Sequence, residues 1–118
     1  MVGAVCVLIR KAPYGAENAF AGLRLALATA ANGIETKVVL MGEGVLNAVK
    51  NQRSSDIGMP SILEAMDDLL SLDVRIYCVE DNIDSFGVRK EDLRDEMVYI
   101  PESGLSDMIL DCQFMTTF

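Results

Sequence analysis

The sequence predicts an α/β fold, a mostly parallel five-stranded sheet with helices on both faces. Two observations predict it. Short runs rich in Val and Ile alternate with longer stretches of helical spacing, the order expected of repeated βα units. The chain is 51% hydrophobic but only 6% aromatic and has no Trp, so its core is built from Val, Ile, Leu, Ala and Met. At 118 residues it is long enough for one domain, 1–118, and too short for two.

Val2 to Ile9 is an almost unbroken apolar run, typical of a strand covered on both faces. Arg10 to Gly15 is turn-rich. A helix is expected from Ala16 to Asn32, with Phe20, Leu23, Leu27 and Ala30 along one face and Gly33 as a left-handed cap. Glu35 to Met41 forms the second strand. Gly42-Glu43-Gly44 then turns into a short helix from Val45 to Asn51. Asn51 to Met59 is polar and irregular. Pro60 and the S-x-x-E pattern of Ser61 to Glu64 both mark the start of a third helix. In that helix Ile62, Met66 and Leu69 face inward, and Glu64, Asp67 and Asp68 face water. Asp73 to Cys78 is the third strand, followed by an acidic helical turn ending at Gly87 and a helical segment near Lys90. Met97 to Ile100 is the fourth strand, Ser103 caps a last helix to Leu110, and Gln113 to Phe118 is the fifth strand.

Composition removes many functions. There is no His, so neither a Ser-His nor a Cys-His pair can form, and the commonest metal ligand is missing. No P-loop, no G-x-G-x-x-G after the first strand and no G-x-S-x-G elbow occurs. No metal or cofactor is expected. The net charge is −8, split as +2 over residues 1–50 and −10 over residues 51–118. That balance argues against a nucleic-acid partner. The acidic half reads as solvated helix faces or as a docking face for a basic partner. No apolar run reaches the roughly 20 residues that span a bilayer. The amino terminus shows no basic leader, which predicts no signal peptide. Three cysteines in no zinc spacing fit free thiols in a reducing cytoplasm.

Cys78 stands apart among those thiols. Cys6 lies within the first strand and reads as core packing. Cys112, between the last helix and the last strand, is also expected to be structural. It would sit at the opposite edge of the sheet from Cys78, farther than the roughly 7 Å that a disulfide allows, which argues against an internal Cys78–Cys112 bridge. Cys78 closes a strand at the edge where α/β proteins place their ligands. Partial positive charge from helix amino termini lowers a thiol pKa there, and Arg10 and Lys11 would add to it if their strand lay beside that of Cys78. Glu80, Asp81 and Asp84 act in the opposite sense. Tyr14 and Asn82 complete the candidate supporting residues.

These residues resemble the DsrE/DsrF-like family, including its TusD-type sulfur-relay members. The likeness runs over nearly the whole chain in four stretches. They are Pro13-Tyr14-Gly15-Ala16 with Leu23 to Ala28, Gly33-Ile34-Glu35 with Val38 to Gly44, Cys78 with Gly87-Val88, and a terminal Ser-x-Met helix ahead of Thr117-Phe118. The resemblance implies a doubly wound domain assembling as a homo-oligomer, a trimer or hexamer. It also implies that Cys78 carries sulfane sulfur as a persulfide between donor and acceptor proteins, which requires neither metal nor His. The competing expectation is a non-enzymatic oligomeric binding module in which Cys78 is structural. A redox-sensing thiol protein is a third.

Overall fold

A computed structural model describes residues 4–11, 18–49 and 62–118, the side chains of Asn18 and Leu63 excepted. Tyr14, the loop Asn51 to Met59 and the Pro60-Ser61 helix start lie outside the described residues. The elements are β1 (Ala4–Ile9), α1 (Asn18–Ala31), β2 (Thr36–Leu40), a 3-10 helix (Gly42–Ala48) and α2 (Ile62–Ser71). Then come β3 (Arg75–Val79), three short 3-10 turns between Glu80 and Asp92, β4 (Val98–Ile100), α3 (Glu102–Leu110) and β5 (Cys112–Thr117).

The five strands form one sheet in the order β4-β3-β2-β1-β5, every neighbouring pair parallel. Strand alternation divides the side chains between two layers. Val7, Ile9, Val38, Leu40, Ile76 and Cys78 pack with Leu23 and Ala26 of α1 and Ile62, Met66 and Leu69 of α2. On the other face Cys6, Leu8, Val39, Tyr77 and Val79 pack against Leu105, Met108 and Ile109 of α3. Both faces of the sheet are therefore covered, which is why the strands read as continuous apolar runs. Glu64, Asp67 and Asp68 point to water, as their spacing predicts.

Gly33 ends α1 in the left-handed region at φ +80°, and the N–H of Ile34 reaches back to the Thr29 carbonyl at 3.1 Å. The segment after β2 differs from its expected form. It is a 3-10 helix that begins at Gly42, so Gly42-Glu43-Gly44 is its first turn and not a lead-in. The reason is close approach to β1: a Cβ on Gly44 would sit 1.9 Å from the Ile9 carbonyl oxygen. The last helix also starts earlier than expected. Pro101 is its N-cap and Ser103 lies inside it.

The largest correction concerns the thiols. Cys112 is the first residue of β5, not a residue of the preceding turn, and it is joined to Cys6 by a disulfide with a Cα–Cα distance of 6.0 Å. The expectation of three free thiols therefore fails for two of them. The cause is strand order. The chain leaves β1 towards β2, β3 and β4, then returns through α3 to place β5 on the far side of β1. The bond closes a separation of 106 residues, a proximity that no local pattern encodes.

Candidate functional site

Cys78 is the penultimate residue of β3, flanked in register by Leu40 of β2 and Tyr99 of β4. Its side chain enters the layer beneath α1 and α2, in one cluster with Ile83, Leu93 and Met97, and it is 0% exposed. It is the one cysteine outside the disulfide. Burial pushes its thiol pKa up to about 12, because a thiolate there would have no water around it. The expected activation by positive charge does not arise.

The sheet order explains the missing activation. Leu40 stands between Cys78 and Ile9 in register, so the strand carrying Arg10 and Lys11 is two places away, roughly 10 Å by ordinary strand spacing. Arg10 and Lys11 are exposed and line a separate crevice of about 380 Å³ with Gly42, Glu43, Thr117 and Phe118. The structure does not bring them together with Cys78.

The acidic stretch follows β3 directly at this edge. Glu80–Asn82 and Asp84–Phe86 are consecutive 3-10 turns, ended by Gly87 at φ +73°. Between them Ile83, only 2% exposed, turns down into the Cys78 cluster, while Glu80, Asp81 and Asp84 turn out to water. Asn82 serves as a tether: its Oδ1 accepts the N–H of Gly42 at 2.9 Å and ties the turn to the 3-10 helix after β2. Two residues that sequence reasoning missed belong to this edge. The Lys90 ammonium pairs with Glu80 and lies 4.6 Å from the centre of the Tyr99 ring. The bond to Glu80 holds the Lys90 pKa above its ordinary value. Tyr99 is raised too, first by burial and then by the neighbouring Cys78. The acidic pattern of the turn was visible in the sequence. That Tyr99 flanks Cys78 follows only from β4 pairing with β3.

Among the described residues no three His, Cys, Asp or Glu side chains group as metal ligands. None of the described helices is long and apolar enough to cross a membrane.

This architecture has close counterparts. The YchN protein of E. coli superposes with a TM-score of 0.87 over 100% of both chains, at 24% identity. A protein of unknown function from Methanobacterium thermoautotrophicum gives 0.68 over 98% of this chain and 99% of its own, at 14% identity. Both likenesses concern the fold. In sequence, an uncharacterised protein of Methanocaldococcus jannaschii is 34% identical over 87 residues, 74% of this chain and 75% of that one. The intracellular sulfur oxidation protein DsrF of Allochromatium vinosum is 32% identical over 87 residues, 73% of this chain and 64% of that one. The profile of the DsrE/DsrF-like family matches residues 3–118, and this chain belongs to that family.

Proposed function

We propose that this protein is a single-domain, homo-oligomeric sulfur carrier in which Cys78 accepts and donates sulfane sulfur. The observation that carries the reading is the placement of Cys78. It is the one cysteine outside the disulfide, at the carboxyl end of β3, in a family that includes a sulfur oxidation protein. In the reaction the Cys78 thiolate attacks the outer sulfur of a donor persulfide. A new S–S bond forms on Cys78 as the donor's S–S bond breaks, and the electron pair and then a proton go to the donor's remaining sulfur. The exchange is redox-neutral and calls for no metal or cofactor. A thiol of an acceptor protein reverses it.

At a pKa of about 12 the buried thiol holds roughly one thiolate in 10⁵ molecules at pH 7, so exchange requires a more open state in which water and the partner reach Cys78. Opening breaks the Asn82–Gly42 hydrogen bond and the Lys90–Glu80 pair, both small barriers at a surface. Self-association, expected as a trimer or hexamer from the family resemblance, finds a surface at the outer edge of the sheet. There β5 is an edge strand that leaves Phe114 57% and Met115 51% exposed, and an uncovered strand edge can pair with another chain.

One observation favours a second reading, a non-enzymatic oligomeric module in which Cys78 is structural. That observation is the complete burial of the thiol. Intact mass spectrometry after incubation with a persulfide donor, with the Cys6–Cys112 bond left oxidised, separates the two. A sulfur carrier gains one sulfur atom that Cys78→Ser does not gain. Equal loading of both proteins, or of neither, sinks the carrier reading, and the second outcome supports the structural one.

A further inference from the structure

The strand order places a second site on the same edge of the sheet. From β1 the chain crosses through α1 to β2, whereas β5 arrives on the other side of β1 from α3 on the opposite face. The carboxyl ends of β1 and β5, parallel neighbours, lie side by side at the edge where open α/β sheets bind ligands. The crevice of about 380 Å³ lies there, its walls Arg10 and Lys11 after β1, Gly42 and Glu43 after β2, and Thr117 and Phe118 at the end of β5.

Both cationic residues are held by their backbones. The N–H of Arg10 donates to the Phe118 carbonyl at 2.7 Å. The buried Asn47 amide donates to the carbonyls of Lys11 and Gly44, each at 2.9 Å. Neither the Arg10 nor the Lys11 side chain has an ion-pair partner among the described residues. A protein of net charge −8 repels anions on average, so two consecutive cations that line a concave site, without ion-pair partners among the described residues, form a local exception to its field.

We infer that this crevice binds a small tetrahedral oxyanion, held by the Arg10 guanidinium and the Lys11 ammonium with the Thr117 hydroxyl as a further donor. The guanidinium fork suits two oxygens of such an anion, and the ammonium adds a point charge. The Glu43 carboxylate is the like charge in the site and limits affinity. A crevice of about 380 Å³ has room for a compact anion. The inference is independent of sulfur carriage, since Cys78 lies two strands away.

The test is titration of the intact protein at low ionic strength with sodium thiosulfate and, separately, with inorganic phosphate, followed by the amide signals of Gly42, Glu43 and Thr117. Saturable shifts of those signals are expected. Arg10→Gln and Lys11→Gln, both at exposed positions, should each weaken binding about tenfold. Glu43→Gln should tighten it about threefold, and Cys78→Ser should leave it unchanged. Preference for thiosulfate would identify a sulfur oxyanion, and preference for phosphate a phosphoryl group. Shifts that chloride reproduces at equal ionic strength, or that survive in the Arg10→Gln/Lys11→Gln double variant, would overturn the assignment. Loss of binding in Cys78→Ser would overturn the independence of the two sites.

Discussion

The two ends of the sheet's carboxyl edge are built on one plan and finished in opposite ways. At β3 and β4 the edge buries an uncharged thiol in one apolar cluster with Ile83, the acidic groups turned outward. At β1 and β5 it is open, polar and cationic. The difference lies in the connections. The link from β3 to β4 is a run of tight 3-10 turns tied to the segment after β2 by the Asn82–Gly42 hydrogen bond and the Val49–Leu93 bridge. At β1 and β5 the strand ends carry Arg10, Lys11, Thr117 and Phe118, which line the crevice. Strand ends therefore supply a location for chemistry, and the loop that follows decides whether the location is sealed.

The strongest way to break this contrast is to cut the bond that fastens β5. Closing a loop of 106 residues stabilises a protein by about 4–5 kcal/mol in the chain-entropy account. Reduction, or Cys112→Ser, should lower the free energy of urea unfolding by that order. Amide exchange should quicken first in β5, with Cys78 still slow to alkylate. Simultaneous loss of protection at both ends would show that they are one unit.

An alkaline titration probes the closed end. The Cys78 pKa is about 12 in the folded protein and about 8.5–9 in the unfolded chain. The folded state therefore keeps a proton that the unfolded state releases. The resulting stability is fully present below pH 9 and is lost as pH rises towards 12, up to about 4 kcal/mol. Wild type measured against Cys78→Ala isolates this slope from the tyrosines and lysines that both proteins share. A flat difference curve would mean that the thiol is already open to water.

The smallest effect is the most specific. Asn82→Ala removes the hydrogen bond to Gly42, worth about 1 kcal/mol, and should raise the Cys78 alkylation rate about fivefold. Arg10→Gln should leave that rate alone. Equal acceleration by both substitutions would erase the distinction between the two ends.

Much of this was legible in the residues. Val38 to Leu40 and Ile76 to Cys78 announce buried strands because β-branched and apolar runs need cover on both faces. Gly33 announces the end of α1 because only a residue without Cβ takes its φ cheaply. Ile62, Met66 and Leu69 repeat at the helical period and are buried. The missing His excluded whole classes of mechanism, and Cys78 stood out by its place near a strand end. The expected start of the last helix at Ser103 failed because Pro101 supplies the fixed φ and extended geometry of the cap without a side-chain hydrogen bond.

By itself, then, the sequence determined the type and order of the elements, because those depend on neighbours a few residues apart. The tertiary structure alone decided which strands lie side by side. That choice joined Cys6 to Cys112, separated Arg10 and Lys11 from Cys78 by the width of β2, and set Tyr99 beside the thiol. Strand order is settled by the crossovers of α1 and α3 to opposite faces and by the burial they achieve together. No local stretch of sequence carries that sum.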